Sequence, residues 1–513
     1  MHYRIASFWI SVVAVLAFNS SAAQTEGGFK YEFKINGVKD TVIYLANYYG
    51  NQLYFADTAR IDSNSRVVFE GETPHPGGIY AVVAPGQKYF EIILAENELM
   101  IETDVNNFIG KMNIVKSKEN SIFYDYIRYL GTQKQLKDKA TQKANSAKTL
   151  KKDKEEKKYR AEAIEIDKKV LEYQRNLVKD NSDLLVSKIV NMSLEPVVPP
   201  NPNPADSSFS YRYYRAHYFD NFDLTEDRLV RSPIFHQKLE YYFKNVIPQV
   251  PDTIIREADA LLAKVINTDD LFKYIAHHIT YTYETSKIMG MDKVFVHQAL
   301  SYYCPDPKGN IRADWLTKKK QQKVCERARK LNPLLIGKKA PYIALTDSTE
   351  KKWLNFYSIK SDYTILVFWD PNCSHCKTDI PALHKMWKEE LKAKGVEVFA
   401  VAKATGDDFE AWKKFIREHN LDWTNVGLTK NIFNQASKDN GRSVVPKYTT
   451  AHSLNYSNTY DVFSTPQVYI LDKNKMIKAK KIDNEQIPTL IDMYIEEEKM
   501  EKGKLEKGPD NQD

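Results

Sequence analysis

The chain has 513 residues, too many for one hydrophobic core, so two to four domains are expected. Its 42% hydrophobic and 27% charged residues are ordinary for a soluble globular protein. A net charge of +7 is small for this length, and with no concentrated basic face evident it argues against nucleic-acid binding.

Residues 1–23 have the makings of a secretory signal. Met1-His-Tyr-Arg4 is a short basic start, Ile5 to Phe18 is apolar but too short to span a bilayer comfortably, and Ser21-Ala22-Ala23 supplies small residues for cleavage. The mature start is expected at Gln24, where the absence of a cysteine argues against a lipid anchor; a retained membrane anchor is the alternative. No later stretch is apolar for long enough to span a membrane, so the mature protein is expected to be soluble, in an oxidising compartment.

Residues 24–117 are expected to form an all-β sandwich. Phe29, Tyr31, Phe33 and Ile35 alternate with Lys30, Glu32 and Lys34, the period of a half-buried strand. Thr41–Leu45, Val67–Phe69, Ile79–Val83 and Tyr89–Leu94 are further strands between Gly-, Pro- and Asn-containing turns. No catalytic constellation stands out here, so an interaction or positioning role is the modest expectation.

Residues 118–332 are expected to form a helical domain. Gly131 to Arg160 is crowded with lysine and almost free of large apolar residues, which suggests a solvated helix or arm, or a basic binding surface. Ile166, Val170, Tyr173 and Leu177 mark a packed stripe, and the prolines from Pro196 to Pro204 require a loop. The interleaved aromatics and arginines of Tyr211 to Phe219 suit packing more than binding. His277 and His278 have no metal-like companions. Cys304 and Cys325 could pair as a structural disulfide; the other options are that both remain thiols, or that one is a reactive thiol communicating with Cys373.

Asn332-Pro333 through Lys339-Ala340-Pro341 marks the linker into residues 333–500, with core strands Ile365–Trp369, Val396–Ala402, Val468–Leu471 and Lys475–Ile482. Helices are expected after Cys373, around Asp408–His419 and around Glu485–Glu498, giving a mixed sheet flanked by helices. Residues 440–460 are longer than a tight connection requires and could border the active site. Residues 501–513 are expected to be a disordered tail.

The chemistry sits in Phe368-Trp369-Asp370-Pro371-Asn372-Cys373-Ser374-His375-Cys376. A β-branched and aromatic strand, Tyr363 to Trp369, feeds it, and Ile380, Leu383, Met386, Trp387 and Leu391 follow at helical spacing. The first cysteine therefore lies at the positive end of a helix dipole, where free N–H groups stabilise a thiolate. The second, one turn on, can close or resolve a disulfide. Zinc would need a second Cys/His pair, and none sits at knuckle spacing, so no metal is expected. A purely structural disulfide over so short a loop would contribute little stability.

From about Leu335 to Met500 the sequence resembles the thioredoxin-like family, specifically exported thiol–disulfide oxidoreductases of the TlpA/ResA type. Trp369, Pro371, Cys373 and Cys376 match that family's active-site stretch, Pro381 its helix-kinking proline, and Ser464-Thr465-Pro466-Gln467 its cis-proline loop. Thioredoxin's buried aspartate, six residues before the first cysteine, is Val367 here; Asp379 instead matches the acidic residue of the TlpA/ResA type. Residues 24–117 resemble an uncharacterised β-domain that often precedes thioredoxin domains in bacterial envelope proteins.

The resemblance implies a multidomain protein with a C-terminal α/β thioredoxin fold, placed in the periplasm or cell envelope of a Gram-negative bacterium. It implies catalysis by Cys373, Cys376 and Asp379, substrate contact by Trp369, Pro371, Thr465 and Pro466, and no cofactor beyond the redox-active Cys373–Cys376 disulfide. Partners would be protein disulfides and a membrane thiol-transfer electron donor of the DsbD type. Ser374 and His375 are expected to tune the potential; His375 resembles the oxidising DsbA pattern, which pulls against the TlpA-like remainder and suggests an intermediate value. Two alternatives stay open: an envelope partner-binding protein with an accessory redox domain, and a thioredoxin-fold peroxidase. The peroxidase pattern Pro-x-x-x-Thr/Ser-x-x-Cys meets Leu366 and Asp370 here.

Overall fold

Large apolar residues alternating with charged ones make Phe29–Asn36 (β1) a two-faced strand, with Phe29, Tyr31, Phe33 and Ile35 buried. The structure, a computed structural model, describes residues 28–506, so the signal segment lies outside the described residues. The chain divides into two units, with the boundary falling between residues 223 and 239.

In the first unit, β1 is joined by Thr41–Tyr49 (β2), Gln52–Ile61 (β3), Arg66–Gly71 (β4), Gly78–Ala84 (β5), Lys88–Leu94 (β6), Glu98–Asp104 (β7) and Asn113–Lys116 (β8). They form two four-stranded sheets, ordered β4-β1-β7-β8 and β3-β2-β5-β6. Phe33 meets Phe69 of its own sheet and Phe90 of the other, each with ring centroids 6.0 Å apart, so aromatic packing joins the two faces. Strand β3 escapes a periodicity search because little of it is buried and neither face is consistently apolar.

The lysine-rich stretch folds as a helical hairpin, Lys118–Thr149 against Asp153–Asp180. It is not a free arm. Ala140, Ala144 and Ala147 are buried and form a seam of small residues, which lets a helix pack with few large apolar side chains. Tyr129 stacks on Tyr173 at 4.0 Å across the same pair. Buried Glu119 accepts from the backbone N–H groups of Leu185 and Val186, both at 2.8 Å, and so caps the helix Leu185–Ser193.

The second unit begins with helices that include Pro251–Lys264, Asp270–Glu284, Asp292–Gln298 and Lys318–Leu331, and Cys304 is disulfide-bonded to Cys325. Then come Ala344–Thr346 (β9), Trp353–Asn355 (β10), Tyr363–Trp369 (β11), Val396–Ala404 (β12), Thr424–Thr429 (β13), Gln467–Asp472 (β14) and Ile477–Lys480 (β15). They form one seven-stranded sheet, ordered β10-β9-β13-β12-β11-β14-β15. The β11–β12 and β12–β13 pairs are parallel, while β14 runs antiparallel to β11. Every residue of β11 is buried, the mark of a central strand covered on both faces, with Val367 and Trp369 on one side and Leu366 and Phe368 on the other.

Two expectations change here. The last strand is shorter than Lys475–Ile482 because Lys475 and Lys481 have positive φ, 64° and 55°, which breaks the extended conformation at both ends. The final helix, Ile487–Glu506, continues past Met500 into the segment expected to be disordered. Residues 440–460 contain the short helices Ala451–Leu454 and Tyr456–Thr459, and fasten onto the sheet. Thr449 Oγ1 donates to the Ala344 carbonyl at 2.6 Å, and Tyr456 stacks on Phe368 at 5.8 Å.

Candidate functional site

Strand β11 ends at Trp369, and the chain turns through Asp370-Pro371-Asn372 into the helix Ser374–Met386. The Asp370 carboxylate accepts from the Asn372 N–H at 2.8 Å, a local bond that shapes the turn. Cys373 is the residue before the helix, with φ −70° and ψ 130°, which places its sulfur near the His375 and Cys376 N–H groups of the first turn. Cys376 lies one turn in and is fully buried, whereas Cys373 is partly exposed; neither is in a disulfide.

The peptide bond Thr465–Pro466 is cis, and its loop faces the dithiol: Cys373 Sγ donates to the Thr465 carbonyl at 3.2 Å. From the other side the Asp370 N–H donates to Cys376 Sγ at 3.5 Å. The two thiols are unequal in kind. Burial pushes the Cys376 thiol up to about 12, against the Asp370 N–H bond, which favours its thiolate. Burial also raises Cys373, but hydrogen bonding from Thr465, from Cys376 and from the His375 backbone outweighs it, and the net shift is downward. The Thr465 carbonyl itself holds the protonated thiol; the downward direction comes first from the Thr465 side chain and then from Cys376 and the His375 backbone at the helix start.

The remaining predicted residues fall differently. Thr465 and Pro466 are half-buried beside Cys373, while Ser374 and His375 are exposed in the first helical turn. Asp379 shares the helix with Cys376, but its carboxylate accepts from Thr378 Oγ1 at 3.0 Å and it is only half-buried. Trp369 does not offer substrate a surface. Its side chain is 1% exposed and packs on Phe415 with ring centroids 4.9 Å apart, because it belongs to the buried strand rather than to the turn. Pro371 is likewise buried. Pro381 lies inside the helix.

One part of the site escaped sequence reasoning. Lys403, on β12, reaches both Asp370 and Asp408 at 3.1 Å, and Asn372 Nδ2 donates to Asp408 at 2.7 Å. This network ties the active-site turn to the neighbouring strand and to the helix Asp408–Glu418. Asp370 and Asn372 were visible in the motif. Their partners were not, because they lie more than thirty residues away and depend on the parallel β11–β12 pairing.

Residues 336–480 match the AhpC/TSA family. Residues 130–332 and 29–123 match two domains of unknown function, DUF5106 and DUF4369. Among curated proteins none matches at a significant level. Among solved structures, a domain of a possible thiol-disulfide isomerase from Cytophaga hutchinsonii is 36% identical and covers 33% of this chain and 98% of its own, with a TM-score of 0.26. A thioredoxin-like protein from Bacteroides caccae is 18% identical over 58% of this chain and 98% of its own, with a TM-score of 0.40. The thioredoxin domain of a thiol-disulfide oxidoreductase from Bacteroides vulgatus is 23% identical over 31% of this chain and 96% of its own, with a TM-score of 0.25. The seven-stranded sheet with its flanking helices, together with the family match, identifies residues 336–480 as an AhpC/TSA-family domain of thioredoxin-like fold.

Proposed function

We propose that the chain is an exported thiol–disulfide oxidoreductase that reduces or exchanges protein disulfides through Cys373 and Cys376. The observation that carries this is the inequality of the two thiols: Cys373 is partly exposed and lowered in pKa, Cys376 is buried and raised. In the reducing direction the Cys373 thiolate attacks one sulfur of a substrate disulfide, and the other leaves as a thiolate that takes up a proton. Cys376 then loses its proton and attacks Cys373 Sγ; the second substrate sulfur leaves, and the enzyme keeps the disulfide and the substrate the electron pair. Thr465 supports substrate binding. Its carbonyl is held by Cys373 only while that thiol is protonated, so thiolate formation frees it to pair with an extended substrate backbone.

Turnover needs an outside dithiol, for which a membrane thiol-transfer protein of the DsbD type is the proposed donor, and no cofactor beyond the dithiol is invoked. The Cys304–Cys325 disulfide supports an oxidising compartment such as the periplasm. Among the described residues no helix is long and apolar enough to cross a membrane. The peroxidase alternative would want a hydroxyl three residues before Cys373; that position is Asp370, whose carboxylate is tied to Lys403. Insulin reduction by the full chain, with Cys373→Ser beside it, tests the proposal. Cysteine-dependent turnover is expected; no turnover by the wild type would leave the partner-binding alternative. With Cys376→Ser, substrates should stay attached to Cys373, since the resolving thiol is missing.

A further inference from the structure

Two residues before Thr465 stands Phe463, whose side chain is 77% exposed. Since Thr465 touches the Cys373 sulfur, and two residues span at most about 7 Å, Phe463 lies at the rim of the reactive centre. An aromatic ring so exposed needs an explanation in a loop whose neighbours are held firmly. Asp461 provides the hold. Its carboxylate is fully buried and pairs with Arg327, with Lys330 at 3.2 Å and with Lys481 at 3.4 Å. Arg327 and Lys330 come from the helix Lys318–Leu331, and both also sit over the Phe463 ring, at 5.5 and 4.8 Å from its centroid. One carboxylate thus faces three cations, leaving positive charge unbalanced beside an exposed aromatic face.

The same helix and loop line a cleft of about 630 Å³. Lys323, Arg327, Arg329 and Lys330 face it with Phe463, and among the described residues Glu326 is the one carboxylate in its lining. Lys323 and Arg329 are exposed, and among the described residues no hydrogen bond, ion pair or ring contact ties down either side chain.

We propose that this cleft receives an acidic polypeptide segment flanking the substrate's disulfide, with an apolar side chain laid on Phe463. The inference rests on the oxidoreductase function and adds to it a substrate class. Charge complementarity selects the occupant: a basic rim attracts acidic segments and repels basic ones. The exposed ring offers apolar contact without a deep pocket, and Asp461 keeps Arg327 and Lys330 in place, so little ordering is needed on binding.

The test uses the full chain, reduced with dithiothreitol, and two synthetic disulfide peptides identical except for glutamates or lysines beside the cysteine. The glutamate peptide should be reduced about tenfold faster in kcat/KM at low salt, equivalent to about 1.4 kcal/mol. That preference should shrink towards unity at about 0.5 M salt as screening sets in. Lys323→Glu with Arg329→Glu, which leaves the Asp461 pairs intact, should abolish or reverse the ratio. Phe463→Ala should lower kcat/KM for both peptides several-fold while keeping their ratio. Equal rates for the two peptides on the wild-type chain, or an unchanged ratio in the double variant, would overturn the inference. Neutral 2-hydroxyethyl disulfide separates the two levels: if the wild type cannot reduce it, the oxidoreductase proposal fails, and if it can but the peptides are equal, the cleft inference alone fails.

Discussion

The second unit holds two pairs of cysteines that differ in nearly everything except the element. Cys304 and Cys325 are 21 residues apart in sequence, 4% and 3% exposed, and bonded to each other. Cys373 and Cys376 are three apart, one buried and one partly exposed, and unbonded. Closing the long loop constrains the unfolded chain strongly, and burial on both sides keeps reductants away. Closing the short loop constrains almost nothing, and placing one sulfur at a helix start while burying the other makes the pair uneven. Stability comes from loop length and shielding, reactivity from inequality.

That contrast breaks most sharply by mutation. Cys373→Ser is expected to reduce disulfide turnover by at least about a thousandfold with little change in stability, because the nucleophile is lost. Replacing Cys304 and Cys325 by serine should do the reverse: turnover stays within a few-fold while unfolding stability falls by about 3 kcal/mol, the loop-closure value for such a span. Insulin reduction and denaturant unfolding measure the two arms. Equal loss of activity in both variants would mean that the second pair takes part in exchange.

Alkylation sharpens the inequality within the reactive pair. With its thiol pushed up to about 12, Cys376 is thiolate to about one part in ten thousand at pH 8, while Cys373 is shifted the other way, down from the ordinary thiol value. Higher intrinsic nucleophilicity recovers part of that deficit, so a labelling preference for Cys373 of about a hundredfold is expected between pH 6 and 8. Mass spectrometry of the iodoacetamide-treated, reduced protein reads it. Preferential labelling of Cys376 would reverse the roles.

How much of this was legible in the sequence depends on distance along the chain. The dithiol, its strand and its helix are contiguous, and Val367 and Trp369 announce a buried strand by their neighbours alone. The cis-proline loop was found through the family resemblance, not from spacing, since ninety-two residues separate Thr465 from Cys373. Lys403 and Asp461 carried no signal, because a single charged residue looks solvated until topology supplies its partners. Trp369 misled for a related reason: it belongs to the active-site motif, yet its pleat position turns it into the core. The alanine seam of the first hairpin was hidden by its lysines, which dominate composition while three small residues set the packing.

Asp379 is expected to have a smaller effect. Half-buried and bonded to Thr378, it stands one turn from Cys376 on the same helix, a spacing that suits assistance to proton transfer there rather than a share in the attack by Cys373. Asp379→Asn should therefore slow the resolving step by about three- to tenfold and flatten its pH profile, with the attack by Cys373 unchanged. Stopped-flow reduction that separates the two steps checks this; an unchanged profile would make Asp379 a simple helix-surface residue.

The smallest expected effect lies at His375, and the structure divides it into two parts. Its backbone N–H is among the donors that favour the Cys373 thiolate, whereas its imidazole is exposed to solvent. A thiolate stabilised in the reduced form raises the reduction potential, so removing a donor should lower it. His375→Pro removes both the ring and the N–H, and proline is tolerated in a first helical turn. His375→Ala removes the ring and keeps the N–H. The proline variant is expected to lie about 30 mV below the wild type, equivalent to about 1.4 kcal/mol, and the alanine variant less than half as far. Glutathione-buffer titrations of all three proteins decide between the parts. Equal shifts in the two variants would assign the tuning to the imidazole, and a shift in neither would leave the other helix-start donors and the Thr465 contact to set the potential.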